Sequence, residues 1–139
     1  MPISDLDELL RSMSPRLNKG VYVFAAVPKE TDLVSLDPIA TFLEDEGISI
    51  VVEESHLVGT GSNVLFRAAW ITLTVNSDLN SVGLTAAVAK VLADKGISCN
   101  VVAAANHDHL FVPVELAKEA ISALDELQAR GSILCDIGS

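Results

Sequence analysis

The stretch AANHDHLFVP, residues 104 to 113, gathers two of the chain's three histidines around one carboxylate. His107, Asp108 and His109 could hold a metal, move a proton or fix a charged ligand. On a strand, residues 107 and 109 point to one side and 108 to the other, so the histidines could share a metal only with help from elsewhere. A turn centred on Asn106 and His107 would set His109 opposite Ala104. Cys99 would then lie about five residues further along, roughly 16 Å away at ~3.3 Å per residue, far outside a metal–ligand bond. His56 falls in a linker, so two ligands remain and no metal site is expected. Acid–base work by Asp108 with His107 or His109, as in a small hydrolase or isomerase, would need a reacting partner. Ser77 lacks the glycine spacing of a nucleophile elbow, and no nucleophile with an ordered base is visible. No catalytic residues are expected. Asp108 could also pair with an α-ammonium group or a cationic side chain, and polar surface or interface positions account for the histidines.

The elements around this stretch can be read from periodicity. FRAAWITLTV (66–75) alternates Ile71, Leu73 and Val75 with Trp70, Thr72 and Thr74, the pattern of a strand with one apolar face. In VGLTAAVAKVLADKG, Leu84, Val88, Val91 and Leu92 follow helical spacing; Asn80 or Ser81 is the expected cap, and Gly96 the stop. ISCNVVAA (97–104) and HLFVP (109–113) read as a hairpin. VELAKEAISALDELQARG (114–131) reads as a second helix closed by Gly131, with SILCDI (132–137) as a last short strand. The resulting order is βαββαβ, an α+β ferredoxin-like sandwich with both helices on one sheet face. Trp70, Thr72 and Thr74 would line the other, open face, where a partner or a second copy could dock. The loop from Asn76 to Gly83 leads into a helix N-terminus, whose free N–H groups and dipole favour an anion such as an α-carboxylate. Gly83 would let the backbone approach it closely.

The first half is less regular. A helix is expected near Leu6 to Met13 and a strand in GVYVFAAV (20–27). Between 37 and 55 the chain reads either as a helix starting at Asp37–Pro38 or as a hairpin, and alternation of Ile39, Thr41 and Leu43 favours the hairpin, with an acidic turn ending at Gly47. HLVGTGSNV (56–64) reads as a linker; its glycines are not followed by the Lys-Ser/Thr of a phosphate loop. The expected division is a partial module over 1–65 and a complete one over 66–139.

Composition limits the function classes. Among 139 residues, 50% are hydrophobic but only 4% aromatic, so the core must be built from Val, Leu, Ile and Ala. Nine basic against 19 acidic residues give a net charge of -10, which disfavours nucleic acid and anionic membrane partners. The opening residues show no basic-then-apolar signal pattern, and no apolar stretch reaches the length of a membrane span. Cys99 and Cys135, both in β-like runs, read as buried reduced thiols, which points to the cytoplasm.

The run ITLTVNSDLNSVGLTAAVAKVLADKGISCNVVAAANHDHLFVP resembles the ACT domains. More closely, the chain is similar to small bacterial tandem-ACT proteins related to the ACT repeats of aspartate kinases and of the animal cytosolic arginine sensor. EDEGISIVVEE in the first half is also similar to that subgroup. Asn76 departs from the histidine many relatives carry. The resemblance implies a ferredoxin-like ACT domain preceded by a partial ACT-like module, and a regulatory sensor that binds a small molecule, an amino acid, as a homodimer, without catalysis or cofactor. Carried over position by position, it assigns ligand contact to Ser77, Val82, Gly83 and Asp108.

Overall fold

In chain order the computed structural model contains α1 (Asp5–Ser12), β1 (Pro15–Leu17), β2 (Tyr22–Val27), α2 (Leu33–Leu36), β3 (Ala40–Leu43), β4 (Ile48–Glu53), β5 (Val64–Leu73), α3 (Leu84–Asp94), β6 (Asn100–Ala103), β7 (Asp108–Pro113) and α4 (Ala117–Gly138). It describes residues 5–74 and 83–138, with the backbone alone for residue 5 and for 131–138. Contacts group the chain into two compact units: Lys19–Ala69, and Met1–Asn18 together with Trp70–Ser139. The second of these groups the N-terminal helix and strand with the C-terminal half.

In the unit Lys19–Ala69 the strands lie in the order β3–β4–β2–β5. This is a βαββαβ sandwich whose helices have shrunk to single turns, α2 and a 3-10 turn at Glu54–His56. Val23, Ala25 and Val27 alternate along β2 and pack with Ile50 and Val52 of β4 under Leu36 and Leu57. The hairpin favoured for residues 37–55 forms, with Leu43 opposite Ile48 and the Glu44–Gly47 turn between them. Glycine is required at its end, because a Cβ on Gly47 would lie 2.6 Å from the Val27 carbonyl oxygen. Asp37 and Pro38 end a helix rather than start one: Asp32 caps α2 through the Val34 N–H, and Asp37 adopts the left-handed conformation, φ 50°.

In the other unit the order is β1–β5–β7–β6, with β1 antiparallel to β5 through Pro15↔Leu73 and Leu17↔Ile71. Leu84, Val88 and Leu92 of α3 and Ala120 and Leu124 of α4 are buried, as are Ile71, Leu73, Leu110 and Val112 on the strands. Gly96 stops α3 as expected: it is left-handed, φ 73°, and the Ile97 and Gly96 N–H groups donate to the Leu92 and Ala93 carbonyls. The start differs, since α3 begins after Gly83 with no side-chain cap. Asn80 and Ser81 lie outside the described residues.

Two expectations for this unit are corrected. SILCDI is helical, not a strand, and Cys135 therefore sits in α4. A short apolar run fits either period, and one glycine inside a helix costs only about 1 kcal/mol, too little to end it at Gly131. The sheet edge that a last strand would take is occupied by β1, brought from the N-terminus. The β6–β7 register also differs. His109 faces Val102 and the turn spans Ala104–His107, closed by the Ala104 N–H donating to the His107 carbonyl. Cys99 is then three residues from His109's partner, about 10 Å along the strand and still too far to share a metal.

Candidate functional site

Asp108 is the first residue of β7, and strand alternation turns it toward the side of Leu110 and Val112, the helix-covered face. It is 7% exposed, and its carboxylate forms no hydrogen bond or ion pair with a described residue. Gly83, in the same unit, is left-handed with φ 102° and immediately precedes the eleven-residue α3. A Cβ there would approach Leu6 Cδ2 to 3.2 Å, so Gly83 also packs against α1. Ser77 and Val82 lie outside the described residues. Of the expected ligand contacts, Asp108 and the glycine ahead of the helix are therefore in view.

His109, the next residue of β7, is on the other face. His109 Nδ1 accepts from Trp70 Nε1–H at 3.0 Å and lies 3.3 Å from the Thr72 hydroxyl. Asn18 Nδ2 donates to Thr72 Oγ1 at 2.9 Å and to the Trp70 carbonyl. The Trp70 ring also stacks on Phe111, with centroids 6.3 Å apart. Sequence reasoning missed Asn18, since nothing in the order of the chain brings residue 18 to residue 72. This network also closes much of the face expected to be open, because Thr72 is only 1% exposed although Thr74 remains exposed.

Burial, first, and then electrostatic repulsion from His107 and Arg16 hold the His109 imidazole below its ordinary value, against the pull of Asp108. With Nδ1 already accepting from Trp70, His109 is built into the sheet and is not poised beside Asp108 as an acid–base pair. Among the described residues no group of three His, Cys, Asp or Glu is arranged to hold a metal ion. Burial pushes the half-buried Cys99 thiol up to about 11, which leaves it protonated and unreactive at neutral pH. Among the described residues, no helix is long and apolar enough to cross a membrane. The other unit has a shallow concavity of about 370 Å³ between Ala26, Pro28 and the Thr60–Asn63 loop, with no charged side chain in its lining.

These features define a small α+β chain of two ferredoxin-like units: one holds a buried acid and the N-terminus of α3, and in the other the helices are reduced to single turns. The chain belongs to the ACT domain family: residues 1–66 match one ACT domain model and residues 66–126 match another. A protein of unknown function from Vibrio cholerae, described as a possible transport protein, is 48% identical, with 88% of this chain and 95% of that one covered at a TM-score of 0.81. The ligand-free regulatory subunit of aspartate kinase from Thermus thermophilus is 11% identical over 81% of this chain and 95% of its own, TM-score 0.61. Aspartokinase III of E. coli, solved with aspartate and ADP, is 14% identical and aligns over 86% of this chain and 33% of its own, TM-score 0.55. No curated protein matches. The tandem ACT architecture is thus the one found in aspartate kinase regulatory domains, and ACT domains are typically amino-acid-binding regulatory modules.

Proposed function

We propose that the protein is an amino-acid sensor that binds its ligand in the module of residues 66–139 and carries out no chemistry. It acts in the cytoplasm, as a homodimer, without a cofactor. One observation carries this reading: Asp108, 7% exposed at the start of β7, forms no hydrogen bond or ion pair with a described residue, which leaves its charge available to a ligand. A carboxylate in a mostly buried residue is only partly screened by water, and an ammonium group pairs with it directly. The N-terminus of α3, which follows Gly83, suits the carboxylate at the other end of the same molecule, with Ser77 and Val82 as the further contacts that the family pattern assigns. A zwitterion meets both requirements, whereas a simple anion would compete with Asp108.

The alternative is an interaction module without a small ligand. It is favoured by the apolar surface of the Lys19–Ala69 unit, where Phe42 is 73% exposed and Leu43 and Leu65 are nearly as bare. A thermal-shift screen of the twenty amino acids separates the two. A ligand that binds only the folded state at about 100 times its dissociation constant adds about 2.7 kcal/mol of stability. The sensor reading expects one amino acid, or a few related ones, to raise the melting temperature. A flat screen together with concentration-dependent self-association would leave the interaction module.

A further inference from the structure

We propose that Trp70 and His109 form a pH-sensitive latch across the sheet: neutral His109 ties the side chains of β7 and β5 together, and its protonation releases Trp70. The argument starts from hydrogen-bond inventory. An indole N–H can only donate, so the 3.0 Å contact from Trp70 Nε1 requires a lone pair on His109 Nδ1. The imidazole is therefore neutral, with its proton on Nε2.

Protonation of Nδ1 sets N–H against N–H and abolishes this bond. An alternative acceptor is already in place: Thr72 Oγ1, 3.3 Å from Nδ1, receives the Asn18 amide proton and has a lone pair to spare. Protonated His109 would turn to Thr72, and Trp70 Nε1–H would lose its acceptor. The latch would then change partners while the strands remain folded.

Charge around the ring favours the neutral form. Arg16 of β1 pairs with Thr72 across the sheet, on the face that His109 shares, and His107 stands two residues away. Asp108 is the opposing charge. From β5 the ring meets the neutral Trp70 and Thr72, and from β6 its cross-strand neighbour is Val102. The folded value lies below the ordinary 6.5, so the unfolded chain binds the proton more readily. The stability the latch contributes is fully present above about 6.5 and is lost as pH falls from there through the folded value.

Trp70 is the chain's only tryptophan, which gives the latch a reporter of its own. The test follows the indole Nε1–H resonance of the full chain, with no ligand present, from pH 8 to pH 5. A single titration with a midpoint below 6.5 is expected in the parent. His109→Gln should abolish it, and Arg16→Gln should keep it but raise its midpoint, since a positive neighbour is removed. A resonance that does not titrate in the parent overturns the latch, as does one that still titrates in His109→Gln. Should His109→Gln not fold, Arg16→Gln decides: an unmoved midpoint refutes the proposal. Because no ligand is added, the result is independent of whether the protein binds an amino acid.

Discussion

Asp108→Asn keeps the shape and most of the hydrogen-bonding capacity of the side chain while removing its charge. Its effect on binding can be bounded from the structure. An exposed ion pair contributes about 0.2 to 1 kcal/mol because water screens it. Asp108 is 7% exposed, so that screening is mostly missing and the charge-assisted range of about 1.5 to 3 kcal/mol applies. At about 1.4 kcal/mol per decade, this is a loss of roughly 10- to 150-fold in affinity. Titration calorimetry with the amino acid that emerges from the screen measures it, with the double variant His107→Ala, His109→Ala as comparison. That double variant should lose far less, because the His109 ring binds Trp70 and Thr72 on the opposite face. If Asp108→Asn binds like the parent while the double histidine variant loses binding or a bound metal, the assignment of Asp108 is wrong and a metal role for the histidines returns.

Further predictions concern stability. Gly47→Ala should cost about 1 to 3 kcal/mol in urea denaturation, since the added Cβ must displace the Val27 backbone and not a flexible side chain. A cost below about 0.5 kcal/mol would mean the turn can open without loss. Leu124→Ala, which empties a fully buried site on α4, should cost about 2 to 5 kcal/mol by the same measurement. Neutralising Asp125 and Glu126 together should change melting by no more than about 0.5 kcal/mol and leave ligand response intact, because both are exposed and the Glu126–Lys95 pair, at 3.5 Å, is exposed as well. A large loss of binding there would reveal a site on that helix face.

The elements that carried a clear period were readable. Leu84, Val88, Val91 and Leu92 marked α3, Gly96 its end, and Ile71 and Leu73 the buried side of β5. The hairpin of residues 40–53 followed from alternation and from Gly47. What escaped detection depends on contacts distant in sequence. PRL is too short to show alternation, yet as β1 it fills the edge beside Ile71–Leu73. That in turn removes the need for SILCDI to be a strand, and its apolar residues fit a helix as well. The one-turn α2 was hidden because Asp37–Pro38 resembles a helix start when read alone and a helix end once Asp32 is seen capping Val34. At the candidate site, the carboxylate was legible as a charge in a turn. Its burial was not, because that depends on the packing of β7 against helices far along the chain. The partner of His109 was equally hidden, since a tryptophan 39 residues away supplies the proton.

The most direct test of an amino-acid sensor is a titration of the isotopically labelled full chain with each amino acid, followed residue by residue through the backbone amide resonances. The account predicts that one amino acid, or a small related set, shifts a compact group of amides at Ser77, Val82, Gly83 and Asp108 in a saturable manner. Amides of the Thr60–Asn63 loop and of Phe42 should stay in place. If no amino acid moves any resonance, or if the saturable shifts gather at Thr60–Asn63 or around Phe42 while Gly83 and Asp108 remain still, the claim that this buried acid and helix N-terminus form the binding site is contradicted.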